Sequence, residues 1–380
     1  MAGSAENAPT WRSSFPAMGT RVDIIGWGGD GMAIVNAVVG VVARHEDMWS
    51  VFRPSSEVSQ LNATVCDAAI GDGASRCGAD SAHGGPGLVV SEETDRLLRD
   101  ALALAEATGG TFNPLIGPLV AAWDVKAMRA AYVAGAPLPP APAADAVEAA
   151  SRASSWGLLS RVGEQRWAMG VPAESVGGVD VASPRLDLGG IAKGYTADAC
   201  RDLAVSMGAR GVLVSVGTSS VSVFGTRADG SSWRAGLRDP HGGPTSVAGV
   251  VELPAGGMSS LSTSGDNLGP LGRVGVGCAA ERAAESTSDR RARETPRETS
   301  VGGGRVFDHH IIDPRTGYPA HAGVRQVSVV ASSGVLAEAL STALLVEPSI
   351  DVPDVVARWA RVTGAPASAK VVGLVRAAQG

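Results

Sequence analysis

The chain has 380 residues, of which 44% are hydrophobic and 18% are charged. This balance supports a sizeable folded core and argues against general disorder. The formal net charge of −6 gives no sign of the basic surface that nucleic-acid-binding proteins use. No run of about 18 apolar residues occurs, so we expect no membrane insertion.

The N-terminal residues and the cysteines both indicate a cytoplasmic protein. The first 15 residues lack a basic segment, an apolar segment and a cysteine for lipid attachment, so no signal peptide or lipobox is seen. The cysteines have no metal-ligand spacing, which argues against a structural zinc site. Cys66 and Cys77 share one glycine-rich segment and could form a disulfide, but free thiols in a reducing cytoplasm are the better interpretation. The remaining cysteines are Cys200 and Cys278.

Hydrophobic periodicity and turn residues predict strands interleaved with helices. Such interleaving indicates an α+β or α/β fold. The predicted elements, in chain order, are a strand over residues 15–25, helices over 32–49 and 91–108, a Pro/Ala linker over 137–144, helices over 145–157 and 191–207, a β-rich segment over 211–225, strands over 232–237 and 326–331, and a helix over 335–346.

Two segments are predicted to be flexible insertions into a single domain that spans residues 1–380. Residues 63–88 are rich in Gly, Ala, Ser and Asp. Residues 269–304 contain many Arg, Glu, Ser and Thr residues and few large apolar ones. Because the basic and acidic residues of this second segment are mixed, a solvated loop is a better interpretation than a binding patch.

The first motif that could carry chemistry is a glycine pair between a strand end and a helix, at residues 186–195. Gly189 and Gly190 precede the helix, and Lys193 lies in its first turn. Such a turn presents N–H groups and the positive end of the helix dipole to an anion. A tight turn with a solvated lysine explains the same spacing, and both interpretations stay open.

The second motif, residues 309–319, combines two histidines with strong turn chemistry. Adjacent histidines on a strand point to opposite faces, so at most one of His309 and His310 faces a given site. A histidine here could act as a general base near neutral pH. The residue types alone favour a hydrogen-bonded histidine that braces the turn.

The third motif places three oxygen-bearing side chains on one face of a helix. Glu338, Ser341 and Thr342 are spaced i, i+3 and i+4. Burial without partners would be costly for them, and coordination of Mg²⁺ together with substrate phosphates would satisfy them. The alternative is an amphipathic helix whose polar face meets water while Leu340 and Leu344 face the core.

Taken in order, these motifs and several shorter segments resemble the ApbE family of FAD:protein FMN transferases. The resemblance implies a T-fold-like α+β architecture, with a mixed or antiparallel sheet, packed helices and a flavin cleft. It also implies Mg²⁺-dependent transfer of FMN from FAD to a Thr or Ser hydroxyl of an acceptor flavoprotein, with AMP as the leaving group. The matching segments are residues 18–20, 49–62, 112–123, 187–198, 233–240, 261–266, 310–319 and 337–344.

The resemblance assigns roles to individual residues. His310 would activate or position the acceptor hydroxyl. The metal ligands would be Glu338, Ser341, Thr342 and the backbone carbonyl of Gly190. The flavin contacts would be Met18, Phe52, Thr111, Phe112, Asn113, Asp187, Lys193 and Ile312.

Three positions depart from the family pattern and leave other functions open. Glu338 and Asn113 stand where the family usually has Asp, and Thr218 stands where it usually has Gly. Because Mg²⁺ is strict about geometry, the longer Glu338 could weaken a metal site. The alternatives are therefore an FAD-binding protein with weak or lost catalysis, and a pyrophosphatase that splits FAD into FMN and AMP. The chain contains no convincing copy of an acceptor motif, so self-modification is not expected.

Overall fold

Strands and helices are interleaved along the chain, as the sequence predicts. The computed structural model describes residues 9–65, 87–134, 136–172, 182–240, 242, 246–254, 258–265 and 310–376. Its strands are β1 (Thr10–Ala17), β2 (Thr20–Trp27), β3 (Leu88–Val89), β4 (Leu159–Gly163), β5 (Arg166–Met169), β6 (Gly211–Val216), β7 (Ser220–Gly225), β8 (Trp233–Arg238), β9 (Val247–Leu253), β10 (Met258–Gly265), β11 (Val324–Ala331) and β12 (Ala369–Arg376). Its helices are α1 (Gly31–Trp49), α2 (Glu57–Ala63), α3 (Glu92–Ala107), α4 (Gly117–Ala122), α5 (Val125–Ala134), α6 (Ala144–Ala153), α7 (Ala192–Ser206), α8 (Gly334–Val346) and α9 (Val352–Thr363).

A seven-stranded sheet, in the order β1-β2-β6-β7-β10-β11-β12, forms the centre of the fold. Its neighbouring strands all pair antiparallel. Two smaller sheets, β3-β5-β4 and β8-β9, accompany it. The α+β class with antiparallel sheet and packed helices is confirmed.

The first predicted strand is wrong in one respect, because residues 15–25 form a hairpin. Ala17 pairs with Thr20, and Met18 and Gly19 make the two-residue turn with φ values of +50° and +66°. Two-residue hairpin turns of this kind need positive φ at both central positions, which Asn-Gly usually supplies. Met18 carries no such signal, so the turn could not be recognised from the sequence.

The predicted helices are confirmed to within a few residues. Ser91 accepts a hydrogen bond from the Thr94 N–H at 3.3 Å, as expected of an N-cap. The helix predicted over residues 145–157 ends earlier, at Ala153, and a 3₁₀ turn over Trp156–Leu158 follows it. In the described part of the chain, no helix has the length and apolar character needed to cross a membrane.

Most of the predicted insertions lie outside the described residues. This holds for all of residues 269–304, for residues 66–86 of the first insertion, and for Cys66, Cys77 and Cys278. Ala63 ends α2 and Leu88 belongs to β3. Cys200 is a buried free thiol, and burial raises its pKa to about 12.

A row of buried serines lines one face of the central sheet between β7 and β10. Cross-strand pairing places Ser222 opposite Ser260 and Ser220 opposite Ser262. With Ser264, these residues form what we call the serine ladder. Their hydroxyls bond to side chains of α7 and α8, so these two helices cover that face.

Helices α7 and α8 cap each other's N-termini. Neither has a side-chain cap from its own N-cap residue. Asp198 of α7 accepts a hydrogen bond from the Gly334 N–H of α8 at 2.6 Å, and Glu338 of α8 accepts one from the Gly194 N–H of α7 at 2.8 Å. A Cβ at Gly194 would overlap the backbone of Gly334. Both glycines are therefore needed for this close crossing, which fixes Glu338 at the start of α7.

His45 makes stability depend on pH. It is fully buried on α1, with its Nδ1 2.9 Å from Thr196 Oγ1 of α7. Desolvation lowers its pKa from 6.5 to about 4, although Glu93 opposes the shift. Between these values the unfolded chain binds more protons, so the free energy of unfolding falls as pH decreases from 6.5 to 4, by roughly 3 kcal/mol.

We therefore expect His45→Gln to lose this part of the pH dependence. The check is urea unfolding of the wild type and the variant at several pH values between 4 and 7. Parallel stability curves for the two proteins would contradict the assignment.

Candidate functional site

The segment from Asp187 to Lys193, here called the glycine loop, is held by two of its own side chains and by the backbone of Pro114. The Asp187 N–H donates to Pro114 O at 2.8 Å, and Asp187 Oδ1 accepts from the Gly189 N–H at 2.8 Å. Lys193 Nζ donates to Gly189 O at 2.7 Å. The Phe112 ring lies against Gly190, since a Cβ there would be 3.4 Å from its Cε2 atom. Four residues assigned to one site by the resemblance, Phe112, Asp187, Gly190 and Lys193, thus lie close together.

The carboxylate of Glu338 lies at the end of this loop, almost completely buried. Its Oε2 accepts from the Gly194 N–H at 2.8 Å, and its Oε1 accepts from the Ser220 hydroxyl. Lys193 Nζ is 3.7 Å from Oε1. At the N-terminus of α7, the acceptor of the Gly194 N–H is therefore the side chain of Glu338. Lys193 is not the solvated lysine of a plain turn.

Ser341 and Thr342 face the serine ladder, although Thr342 is partly exposed. Ser341 Oγ is fully buried, 2.8 Å from Ser264 Oγ and 3.1 Å from Ser262 Oγ. Thr342 Oγ1 is 3.1 Å from Ser264 Oγ. Helix α8 is buried on nearly all sides, so the amphipathic alternative is wrong. Ser341 and Thr342 bond to hydroxyls of β10, and Glu338 bonds to the Ser220 hydroxyl of β7 and to the Gly194 N–H.

The oxygen atoms gathered here fit a hard cation such as Mg²⁺. Within the described ranges, no group of three or more His, Cys, Asp and Glu residues could hold a metal ion. In the ligand set that the resemblance assigns, Glu338 would be the carboxylate ligand. A carboxylate has about four acceptor positions, and two of them take the hydrogen bonds from Gly194 and Ser220. Mg²⁺ typically binds through one or two carboxylates together with water and substrate phosphates. The remaining capacity of Glu338, with the hydroxyls of Ser341 and Thr342, suits that requirement.

Asn113 is fixed by two backbone groups of its surroundings. It is buried, its Nδ2 donates to Ser154 O at 2.6 Å, and its Oδ1 accepts from the Leu115 N–H at 2.8 Å. The amide thus uses both its donor and its acceptor, which an ionised Asp could not do. The departure from the family pattern has a local structural reason.

Asn113→Asp is accordingly expected to lower the free energy of unfolding by about 1–3 kcal/mol at pH 7. The penalty should shrink at pH 5 or below, because a protonated Asp can donate to Ser154 O again. Denaturant unfolding at both pH values measures it. An equal penalty at the two values would show that the missing donor is not the cause.

The other predicted flavin contacts have different surroundings. Met18, in the β1–β2 turn, packs partly against the core. Phe52 is 77% exposed, and Lys126 Nζ lies 5.5 Å from the centre of its ring. Thr111 is buried, and its hydroxyl donates to Thr108 O at 2.9 Å. Thr218 lies exposed in the turn between β6 and β7, so its side chain crowds no buried backbone.

The histidine motif forms a tight turn that packs on α4 and α6. Ile312 pairs with Pro319, and it is buried in a cluster with Leu119 of α4 and Val147 of α6. The Gly317 N–H donates to Asp313 O at 2.9 Å. His310 is half-buried at the start of this described segment, and His309 lies outside the described residues. The turn chemistry predicted from the sequence is confirmed.

A cleft of about 750 Å³ is lined by residues of α2, α4 and α6 and by the segment 182–185 that precedes the glycine loop. Several of its walls are alanines and prolines of α4 and α6 and of the segment before the loop. None of the eight predicted flavin contacts lines it, but Val51 and Arg185 do, close in sequence to Phe52 and Asp187. Its volume is in the range of small-molecule sites, about 300–1,000 Å³.

Sequence reasoning missed the serine ladder and the residues that depend on it. The signal was present as serines at alternate positions, 220 and 222 on one strand and 260, 262 and 264 on another. Period-two polar residues on a strand share one face. Arg201 and Asp198 extend this buried polar network, since Arg201 Nη1 donates to Ser222 Oγ at 2.7 Å.

Curated relatives of the chain carry the name FAD:protein FMN transferase. The protein of that name from Treponema pallidum (strain Nichols) is 31% identical over 322 residues, which cover 83% of this chain and 71% of that protein. The one from Rhodobacter capsulatus is 28% identical over 361 residues, which cover 92% of this chain but 54% of that protein.

Solved structures share the fold. The ApbE protein from Thermotoga maritima superposes with a TM-score of 0.63 at 24% identity, over 97% of each chain. The flavin transferase ApbE from Vibrio cholerae gives a TM-score of 0.63 at 21% identity, over 95% of this chain and 93% of that chain. The sequence pattern of the ApbE family matches residues 18–275 and 286–363. The chain therefore belongs to the ApbE family.

Proposed function

We propose that the protein transfers the FMN half of FAD to a Thr or Ser hydroxyl of an acceptor flavoprotein, in a Mg²⁺-dependent reaction that releases AMP. Family membership and the relatives named FAD:protein FMN transferase support the transfer of FMN from FAD to a protein. The observation that carries the proposal is the position of the Glu338 carboxylate. It lies at the N-terminus of α7, where it accepts from the Gly194 N–H and is 3.7 Å from Lys193 Nζ, next to the glycine loop.

Glu338, Ser341, Thr342 and the carbonyl of Gly190 would hold the Mg²⁺ ion. When bound, the ion would neutralise charge on the pyrophosphate of FAD. Lys193 would add a positive charge at the same place, and its bond to Gly189 O holds the ammonium at the loop. Met18, Phe52, Thr111, Phe112, Asn113, Asp187 and Ile312 would surround the flavin.

His310 would act on the acceptor. It would accept the proton of the Thr or Ser hydroxyl as that oxygen bonds to the FMN phosphorus. The bond between this phosphorus and the bridging oxygen then breaks, and AMP leaves with that oxygen. The half-buried position of His310 suits a group that must meet a second protein.

The test is AMP release from FAD by the purified protein, with Mg²⁺ or EDTA, and with or without an acceptor flavoprotein. Release that needs both Mg²⁺ and the acceptor supports the transferase. Rapid release without acceptor would favour the pyrophosphatase, and FAD binding without release under any condition would favour a binding protein.

The cytoplasmic location of the protein and its organisation as a single domain stay predictions.

A further inference from the structure

Two buried serines on β7 bind two different carboxylates. The hydroxyl of Ser220 donates to Glu338 Oε1, and that of Ser222 donates to Asp198 Oδ1 at 2.7 Å. Both serines are about 1% exposed or less and lie on the same face of the same strand. They differ in that only Ser220 contacts the proposed metal ligand.

The hydrogen bond from Ser220 restrains the carboxylate of Glu338, the part of this side chain that the α8 backbone does not fix. Glu has one more rotatable bond than Asp, so its carboxylate needs more contacts to stay in one orientation. The Gly194 N–H holds Oε2 at 2.8 Å, and Ser220 holds Oε1. Together the two donors fix the plane of the Glu338 carboxylate and therefore the directions of its remaining acceptor positions.

Ser220 also links Glu338 to the hydroxyl ligands. It pairs across the strands with Ser262, whose hydroxyl is 3.1 Å from Ser341 Oγ. The carboxylate and Ser341 are therefore held by neighbouring members of the serine ladder. Partners that orient metal ligands commonly change metal affinity 10- to 100-fold when removed.

We propose that Ser220 is a positioning residue that orients the Glu338 carboxylate for the divalent cation. The inference rests on the metal site of the proposed function. Ser220 holds the carboxylate of Glu338 in one orientation, which this longer side chain would not keep without the bond.

The experiment measures Mn²⁺ binding by electron paramagnetic resonance, with Mn²⁺ in place of Mg²⁺ and saturating FAD. We expect Ser220→Ala to weaken Mn²⁺ binding about tenfold or more. The matched Ser222→Ala variant should stay within about twofold of the wild type, and Ser220→Thr, which keeps the hydroxyl, should bind nearly as well as the wild type. If Ser220→Ala does not fold, Ser220→Cys, with similar volume and a weak donor, should show the same loss.

Two results separate the failures of this inference and of the proposed function. Wild-type Mn²⁺ affinity in Ser220→Ala or Ser220→Cys would overturn the role of Ser220 and leave the metal site intact. Equal losses in the Ser220→Ala and Ser222→Ala variants would also overturn it, since they would indicate a general effect on packing. No Mn²⁺ binding by the wild type would overturn the metal site itself.

Discussion

Replacing His310 with alanine is expected to lower the rate of FMN transfer by about 10²- to 10⁴-fold, the usual contribution of a general base. FAD binding should stay nearly unchanged, because the imidazole is assigned to the acceptor hydroxyl. The neighbouring Ile311 and Ile312 pack into the core and bear the structural role of the segment. The measurement is the initial rate of flavin attachment at saturating FAD, with FAD affinity from flavin fluorescence.

His321→Ala is the matched control for this prediction. His321 is exposed and follows the same turn, so its loss should change the rate by less than about twofold. If His310→Ala transfers FMN at the wild-type rate, His310 has no part in the reaction. A large loss of FAD affinity in this variant would instead assign His310 to the substrate site.

Glu338→Gln should abolish metal-dependent transfer, with a loss of at least about 10²-fold. The variant keeps the size of the side chain but removes the single carboxylate of the proposed ligand set, and Mg²⁺ is usually bound through one or two carboxylates. The Gln carbonyl can still accept from Gly194, so the cap on α7 is partly kept. The free energy of unfolding should fall by only about 1–2 kcal/mol.

The Glu338→Asp variant tests the charge of the side chain separately from its length. The shorter Asp retains the charge but cannot extend to both Gly194 and Ser220, so we expect intermediate activity and a higher Mg²⁺ requirement. Glu347→Gln, outside the proposed ligand set, is the control and should leave the Mg²⁺ requirement unchanged. Activity of Glu338→Gln at the wild-type level, with the same sensitivity to EDTA, would contradict the assignment of Glu338 as a ligand.

Helices α1, α3, α6, α7 and α8 and the motifs could be predicted from the sequence because their signals are local, whereas α2, α4, α5 and α9 were not predicted. The Ser91 cap, the start of α7 after Gly190 and the turn after Asp313 all rest on neighbouring residues. The β1–β2 turn was missed because Met18 adopts a positive φ without the usual turn residue. Here the pairing of β1 with β2 determines the backbone conformation of Met18, against the local preference of that residue.

The surroundings of the site residues could not be predicted, because their partners are distant in sequence. Asn113 bonds to Ser154, and Glu338 bonds to Ser220 and Gly194. From the sequence alone, Asn113 and Glu338 were departures that weaken a flavin site. In the structure, Asn113 uses the amide donor that an ionised Asp would lack. Glu338 uses its longer side chain to reach both Gly194 and Ser220.

The same reason explains the wrong alternative for α8. A helix with three polar residues on one face is usually amphipathic, with that face in water. Here the polar face meets the serine ladder, which depends on the pairing of β7 with β10. Sequence periodicity identifies the face but not what covers it.

The most direct test of the proposed function is the intact mass of an acceptor flavoprotein after incubation with this protein, FAD and Mg²⁺. The account predicts an increase equal to one FMN joined through a phosphodiester, located on a Thr or Ser, with one AMP released per FMN attached and none of this in EDTA. An acceptor of unchanged mass, while FAD is bound or split, would contradict the central claim that FMN moves from FAD onto a protein.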